Sequence, residues 1–401
     1  MSELAVEPDL LRWAERFAGR ARADVGAELA EILSIAARTD IISFAGGIPD
    51  PATFPGTELA DILRDLAESG DVTAFQYGPT GGLSSTLDWM GDRLATREGR
   101  RPAAGELMVT SGGIDAMELL GKAFLERGDV VAVEAPTYLG SIMAFRSWEA
   151  DVVAIDADEE GMDPRALEKA LRDGLRPKFL YTIPDHQNPA GTSLSAARRP
   201  AVVELARRYG FLLVEDVAYR DLTFEGERPP CLWSLAPDAV VQISTFSKTF
   251  MPGTRLGWAC GPAEIVEKLV WAKQFTDQCP SGLAQRLLEE YGRRGLLDRQ
   301  IERASALYGS RGRAFVAALE REVGERGRWT HPRGGFFTWL TLPGVDTGDL
   351  AKRAAENGVA VVPGAPFYPD ARGGDAMRLS FSRATEDEIA QGVARLRWLL
   401  P

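Results

Sequence analysis

The chain has 401 residues, of which 45% are hydrophobic and 26% charged, and its formal net charge is −12. This is the composition of a globular protein long enough for two domains. The acidic balance argues against nucleic acid as a partner. No apolar run approaches the roughly 18 residues of a membrane span. The N-terminus also lacks the apolar segment of a secretory signal. We therefore expect a cytoplasmic protein that binds no membrane.

Cysteine and histidine are scarce. Cys231, Cys260 and Cys279 are widely spaced and form neither a disulfide framework nor a zinc-binding pattern, so we expect free thiols. His186 and His331 are the only two histidines, which excludes a histidine-rich metal site, and we expect no metal. A Ser-His-Asp hydrolase would have to use one of these two.

The first forty residues have an apolar periodicity that predicts one or two amphipathic helices. A short strand at 41–44 precedes the loop AGGIPDPATFP. Its paired glycines, Gly46 and Gly47, allow backbone to approach a ligand closely, although a plain turn has the same composition.

A regular alternation of strands and helices begins at the strand 107–110. The turn Ser111-Gly112-Gly113 follows, and then a helix at 114–124. This layout is typical of an anion site, because the free amides at a helix start point at a phosphate. Nearly all-apolar runs then predict parallel strands buried on both faces, at 130–133, 152–155, 179–183, 211–214 and 240–243.

Polar residues follow the ends of these strands, where open α/β sheets bind their ligands. Asn188 and Asp216 are 28 residues apart, and Asp216 and Lys248 are 32 apart. Each interval allows one βαβ step. We therefore expect all three residues at successive strand ends.

Lys248 follows the strand that ends near residue 243, in the segment STFSKTFMPGTRLG. A lysine at the end of a buried strand can lose its proton and form a Schiff base with a carbonyl. The hydroxyls of Thr245 and Ser247 and the guanidinium of Arg255 suit a phosphate. Together these features suggest pyridoxal phosphate, although a single lysine is more often a solvated surface residue.

The rest of the chain predicts an α+β tail with helices between 264 and 323. The later elements are strands at 334–340, 359–362 and 377–381 and helices at 348–357 and 385–399. We predict an α/β fold with two parts. A large domain, 57–290, has a mixed, mostly parallel sheet, and a smaller α+β domain is built from both chain ends, 1–56 and 291–401.

A series of motifs runs through the whole chain: ISFAGGIPDPATFP, YGPTGG, VTSGGIDAMELL, VEAPTYLG, QNPAG, VEDVAYRDL, STFSKTFMPGTRLGW, PRGGFFTWL and MRLSFS. In this order and at these spacings the chain resembles the fold-type I pyridoxal-phosphate enzymes, specifically class I/II aminotransferases. It is most similar to the branch of 2-aminoadipate, kynurenine and aromatic aminotransferases. The resemblance implies pyridoxal 5'-phosphate as cofactor, an L-amino acid and a 2-oxo acid as substrates, and a homodimer with shared active sites.

The resemblance also implies roles for individual residues. Lys248 would form the internal aldimine and shuttle a proton, and Asp216 would pair with the pyridinium nitrogen. Tyr219 and Asn188 would hydrogen-bond the phenolic oxygen of the ring, and Tyr138 would stack on its face. The implied phosphate ligands are Ser111, Gly112, Gly113, Thr245, Ser247, Arg255 and, from the neighbouring subunit, Tyr77. The implied substrate contacts are Arg378, Gly47, Asn188 and His186, with Arg378 binding the α-carboxylate.

Two positions depart from the pattern of the branch. Ala27 stands where an arginine often recognises an acidic side chain, which puts that preference in doubt. The nearby acids Asp24 and Glu28 could attract a basic substrate or simply be exposed. His186 replaces a Phe or similar residue, and we expect it at the cofactor edge, as a second acid/base or as a polar wall.

Two alternatives to transamination remain open at this point. One is a different reaction on the same fold, such as elimination, replacement, oxidation or cyclisation. The other is a non-catalytic ligand-sensing domain, although the sensors that share this fold carry a winged helix-turn-helix ahead of it.

Overall fold

The computed structural model describes residues 13–22 and 40–400. Two short helices, Trp13–Arg16 and Gly19–Arg22, lie in the first range. The remainder of the predicted N-terminal helices lies outside the described residues. The strands, in chain order, are β1 (Ile42–Ser43), β2 (Leu107–Thr110), β3 (Val130–Ala135), β4 (Asp151–Asp158), β5 (Gly161–Met162), β6 (Phe179–Thr182), β7 (Leu212–Asp216), β8 (Val240–Thr245), β9 (Gly257–Cys260), β10 (Arg328–Trp329), β11 (Phe337–Thr341), β12 (Val359–Ala360), β13 (Val362–Pro363) and β14 (Ala376–Ser380).

Eight strands form one sheet in the order β2-β9-β8-β7-β6-β3-β4-β5. The pairs from β8 to β4 are parallel, whereas β9 runs antiparallel to both of its neighbours and β5 runs antiparallel to β4. This arrangement confirms the predicted α/β class with a mixed, mostly parallel sheet.

Both faces of this sheet are buried, as the apolar runs predict. Val131 and Val133 of β3 belong to one core, whereas Ala132 between them belongs to another. Successive side chains of a strand point to opposite faces, so the two cores lie on the two sides of the sheet. The longer helices are Thr57–Glu68, Ser84–Glu98, Gly113–Phe124, Leu139–Ser147, Pro164–Arg172, Arg198–Tyr209, Ala263–Gln274, Gly282–Arg293, Leu296–Glu322, Thr347–Glu356 and Glu386–Arg397.

A second, antiparallel sheet has the order β10-β11-β14-β13. Beside it, β1 pairs in parallel with β12, through Ile42 to Val359 and Ser43 to Ala360. The N-terminal segment therefore joins the C-terminal part of the chain, as predicted for a smaller unit built from both ends.

The strands of the large sheet all lie within the predicted range 57–290. The predicted boundary at 290 falls inside the helix Gly282–Arg293, so the domain limits remain a prediction. In the part of the chain that the structure describes, no helix combines the length and the apolar character needed to cross a membrane.

Candidate active site

The carboxyl ends of five strands meet at one edge of the large sheet. Strands β3, β6, β7 and β8 are parallel. Strand β2 runs in the same direction, because β9 lies antiparallel between it and β8. The predicted site residues follow these ends: Ser111 to Gly113 after β2, Tyr138 after β3, Asn188 after β6, Asp216 and Tyr219 at β7, and Thr245 to Lys248 at β8.

Lys248 is largely buried at this edge. Its Nζ donates a hydrogen bond to the Gly47 carbonyl at 2.9 Å and lies 5.9 Å from the ring centroids of Tyr219 and Phe336. Burial, together with the positive charges of Arg378 and Arg255, lowers the pKa of Lys248 to about 8, and the negative charge of Asp216 opposes this fall. A substantial fraction of this amine is therefore neutral and nucleophilic near neutral pH.

Asp216 is buried and held at both oxygens. The Tyr181 hydroxyl donates to Oδ2 at 2.7 Å, and the Ala218 amide donates to Oδ1 at 3.0 Å. Burial raises the pKa of Asp216, although both hydrogen bonds and the nearby Lys248 charge oppose this rise. A fixed, buried carboxylate of this kind is suited to pairing with a protonated ring nitrogen.

Arg378 is a buried cation that faces the same region. Its Nη1 donates to Asn188 Oδ1 at 3.0 Å and its Nη2 to the Ala45 carbonyl at 2.6 Å, whereas Nε is buried without a partner. The guanidinium carbon lies 4.6 and 4.9 Å from the ring centroids of Phe337 and Phe367. Burial lowers the pKa of Arg378 to about 10. Within residues 13–22 and 40–400 no carboxylate forms an ion pair with it, so a small carboxylate is the complementary ligand.

Gly47 lies beside these groups, two residues after Ala45, whose carbonyl accepts the hydrogen bond from Arg378. A Cβ atom at Gly47 would lie 2.6 Å from Phe337 Cζ, so a larger residue would displace that ring. The glycine lets the backbone pass between Phe337 and the Lys248 amine.

The phosphate cup predicted from the sequence consists of a helix start and an arginine. The helix Gly113–Phe124 begins after Gly112, whose φ of 103° favours glycine. A Cβ atom at Gly112 would lie 2.4 Å from Arg255 Nη2. The amides of the first helical turn have no acceptor within the helix and are free to bind an anion.

Arg255 is supported by the hydroxyls that the sequence singled out. Its Nη1 donates to Ser247 Oγ at 3.1 Å, and Thr245 Oγ1 donates to the same oxygen at 2.8 Å. No carboxylate pairs with Arg255 in the described ranges of the chain. The cup therefore presents an unpaired cation, hydroxyls and free amides at one place.

Ser111, predicted as a phosphate ligand, makes hydrogen bonds to several neighbouring side chains. Its amide donates to Asp115 Oδ2 at 2.7 Å, and its hydroxyl donates to Asp277 Oδ2 at 2.5 Å. Its carbonyl accepts from Arg255 Nη2 at 3.3 Å. Both donors of Ser111 are thus engaged within the protein.

The three tyrosines occupy different environments. Tyr219 is buried, with its ring edge-to-face against Phe336 and Phe337. Burial raises the pKa of Tyr219 and of Tyr138, so both phenols are neutral donors. Tyr77 is 77% exposed.

His186, expected at the cofactor edge as an acid/base or a polar wall, hydrogen-bonds residues of its own neighbourhood. Its Nε2 hydrogen-bonds Thr223 Oγ1 at 2.8 Å, and its amide donates to Ser193 Oγ at 3.0 Å. With a φ of 52°, the residue directs its ring into a separate cavity of about 480 Å³, which His331 also lines. Burial lowers the pKa of His186 to about 4, so it is neutral at physiological pH. The second departure, Ala27, lies outside the described residues, together with Asp24 and Glu28.

Several residues that shape the site were not predicted from the sequence. Tyr181 binds Asp216, and Phe337 and Phe367 enclose the Arg378 guanidinium. Tyr181 left a signal in the sequence, because a buried tyrosine hydroxyl in an apolar strand requires a partner. The two phenylalanines left none, since they come from separate segments of the smaller unit.

The donor set fits pyridoxal phosphate. The cup offers donors for a phosphate, Asp216 offers a carboxylate for a ring nitrogen, and Lys248 offers an amine for an aldehyde. Arg378, with its unpartnered Nε, lies close enough to lower the pKa of Lys248 and can hold the carboxylate of a second molecule beside it.

Comparisons with known proteins agree with this geometry. The family model "Aminotransferase class I and II" matches residues 40–396. The chain is 36% identical to an aromatic-amino-acid aminotransferase 1 from Thermococcus litoralis, over 98% of this chain and 95% of the relative. A solved Pyrococcus horikoshii kynurenine aminotransferase, in complex with PMP, is 37% identical over 98% of each chain, with a TM-score of 0.93.

A third relative bears on the cofactor. LysN, an α-aminoadipate aminotransferase from Thermus thermophilus solved with N-(5'-phosphopyridoxyl)-L-leucine, is 38% identical over 97% of this chain and 98% of that chain, with a TM-score of 0.88. These likenesses confirm fold type I, and they give no support to an alternative reaction on this fold. The chain therefore belongs to the class I and II aminotransferases and is a pyridoxal-phosphate-dependent enzyme of that family.

Proposed function

We propose that Lys248 is the catalytic amine of this aminotransferase and that Arg378 binds the α-carboxylate of an L-amino acid and of the 2-oxo acid formed from it. The observation that carries the proposal is the Arg378 guanidinium, which is buried, lacks an anionic partner in the described chain and keeps Nε free. A buried cation without a counter-ion is costly, and an anionic substrate removes that cost.

The cofactor and the protein side chains supply different parts of the reaction. When bound, pyridoxal phosphate supplies an aldehyde for the amino group and a ring that accepts the electron pair left at the substrate Cα. Lys248 Nζ takes the Cα proton and returns one, because its pKa of about 8 lets it act as both base and acid near neutral pH. With the cofactor bound, Asp216 would keep a proton on the ring nitrogen, and the Tyr219 and Asn188 side chains would hold the phenolic oxygen.

Mixing the purified holoenzyme with single amino acids tests this function. We expect a subset of them to convert the cofactor to its amine form, and 2-oxoglutarate or pyruvate to restore the aldehyde form. Arg378→Gln should raise the KM for the amino acid on the order of a hundredfold, as expected when a buried charged hydrogen bond is lost. A substrate that loses a β or γ substituent, with no reversible half-reaction for any amino acid, would contradict transamination.

The class of amino donor is proposed from the relatives, and the order of preference within that class is proposed from Ala27 alone. The relatives named above are aromatic, kynurenine and α-aminoadipate aminotransferases. Ala27 provides no cation for an acidic side chain, whereas the branch of 2-aminoadipate, kynurenine and aromatic aminotransferases often has an arginine at this position. We therefore propose neutral, large amino acids as better donors than 2-aminoadipate. Comparison of kcat/KM for phenylalanine, kynurenine and 2-aminoadipate tests this order, and Ala27→Arg should move the preference toward 2-aminoadipate.

A homodimer with shared sites is supported by large apolar side chains that are exposed in the single chain. Phe275 is 83% exposed and Tyr77 is 77% exposed, and Trp271 and Ile114 are exposed on two helices that pack together. Such a concentration of exposed apolar residues is typical of a subunit interface.

An experiment that mixes two variant subunits tests whether the active sites are shared between subunits. Lys248→Ala and Tyr77→Ala subunits, each inactive or impaired alone, should regain activity when mixed, because one of the two sites in the hybrid is intact. Absence of complementation in a confirmed mixed dimer would refute shared sites.

Cytoplasmic location is proposed from the cysteines. Cys231 and Cys260 are buried and Cys279 is partly buried, and all three are free thiols, as is usual in a reducing compartment. Cell fractionation with an antibody to the chain tests the location.

A further inference from the structure

One buried ammonium and two carboxylates lie next to the phosphate cup and have no role in the function proposed above. The Lys273 side chain is fully buried. Its Nζ donates to Asp277 Oδ2 at 2.7 Å, to Asp115 Oδ2 at 2.8 Å and to Ser111 Oγ at 3.1 Å. We call these residues, Lys273, Asp115 and Asp277, the Lys273 cluster.

Ser111 connects this cluster to the cup. Its amide and hydroxyl donate to Asp115 and Asp277, and its carbonyl accepts from Arg255. The next residue, Gly112, is packed against the Arg255 guanidinium. The cluster therefore fixes the peptide that leads into the helix start and also contacts the phosphate arginine through one residue.

The charges of the cluster do not cancel. Two carboxylates surround one ammonium, so a net negative charge lies beside a site for a phosphate dianion. The Asp115 side chain is 11% exposed and that of Asp277 is 32% exposed, so solvent screens Asp277 more than Asp115. Each carboxylate opposes phosphate binding, and Lys273 offsets one of them.

We propose that Lys273 is a positioning residue for the cofactor phosphate. With Asp115 and Asp277 it holds Ser111, and the balance of charge in the cluster sets the affinity of the cup for phosphate. Asp277 lowers this affinity and Lys273 raises it. The inference rests on the proposed assignment of Gly112, Gly113 and Arg255 as the cup.

The test compares pyridoxal phosphate with pyridoxal, which has the same ring and aldehyde but no phosphate. Both are titrated into apoenzyme and the two Kd values are measured by absorbance. Lys273→Met should raise the Kd for pyridoxal phosphate on the order of tenfold and leave that for pyridoxal unchanged. Asp277→Asn should lower the Kd for pyridoxal phosphate several-fold. Lys268→Met is the matched control, because Lys268 lies on the same helix with its Nζ over the Trp271 ring, and it should change neither value.

Each outcome decides a separate point. An equal change in both Kd values for Lys273→Met, or no change in either, overturns the proposal. If that variant does not fold, Asp277→Asn decides alone, and an unchanged or weakened preference for the phosphorylated ligand overturns it. Arg255→Met tests the cup itself: if it keeps the full preference for pyridoxal phosphate, the proposed cup is wrong, whatever Lys273→Met shows.

Discussion

The acidity of Lys248 is the property of the site that a change of charge should alter most clearly. Burial and two arginines lower its pKa from the ordinary 10.5 to about 8. At pH 7 about a tenth of the amine is then neutral, roughly 300 times more than for an unperturbed lysine. Arg378→Gln removes a cation and should raise the pKa, whereas Asp216→Asn removes an anion and should lower it below 8.

Competitive acylation of the apoenzyme measures this pKa directly. A limiting amount of isotopically labelled acetic anhydride is added at a series of pH values, and the peptide that contains Lys248 is quantified by mass spectrometry. Lys169 is an internal control, since it is exposed and its hydrogen bond to Asp173 raises its pKa. The Lys248 peptide should reach half-maximal reactivity near pH 8, and the Lys169 peptide only at much higher pH.

The decisive result is the order of the Lys248 pKa values in the unmodified chain and the two variants. We expect the pKa of Lys248 to be highest in Arg378→Gln, intermediate in the unmodified chain and lowest in Asp216→Asn. If both variants shift the pKa in the same direction, or if Lys248 titrates together with Lys169, the electrostatic reasoning is refuted.

Three further predictions concern residues around the cofactor. Gly112→Ala places a Cβ atom against Arg255 at a φ that disfavours it, so the Kd for pyridoxal phosphate should rise more than tenfold; Gly105→Ala, also at positive φ but away from the cup, should leave the Kd unchanged. Tyr181→Phe removes a donor from Asp216, and kcat should fall on the order of tenfold to a hundredfold, which stopped-flow measurement of the half-reaction checks. Burial raises the pKa of Glu134 to about 7, above its ordinary 4.5. The folded protein therefore binds more protons than the unfolded chain in this range, so the free energy of unfolding should fall by on the order of 3 kcal/mol as the pH rises from 4.5 to 7. Glu134→Gln should remove this fall in urea unfolding curves recorded across that pH range, and an unchanged pH dependence would contradict it.

The sequence predicts the large sheet well because its strands carry a strong local signal. The apolar runs at 130–133 and 240–243 lie within β3 and β8, and the helix predicted at 114–124 begins one residue earlier. Strand β9 escaped prediction because it has four residues, begins with glycine and is defined by its pairing with β2 and β8. The helix Leu139–Ser147 escaped because its residues are buried on nearly every side and show little periodicity.

Long-range contacts limit what the sequence can say about the site. Strand ends place Asn188, Asp216 and Lys248 together, because βαβ spacing is a local rule. The partners of Ser111 come from distant segments: Asp277 is 166 residues away and Lys273 is 162 residues away. The direction of the His186 ring depends on its own φ and on its contacts with Ser193 and Thr223. No local pattern contains this information.

Lys248 is the centre of the account, and one measurement tests its role directly. The holoenzyme is reduced with borohydride, digested and analysed by mass spectrometry for the peptide that carries the reduced cofactor. We predict a single modified peptide, modified at Lys248, and no modification in Lys248→Ala. Attachment of the cofactor to another lysine, or a Lys248→Ala enzyme with full turnover, would contradict the account.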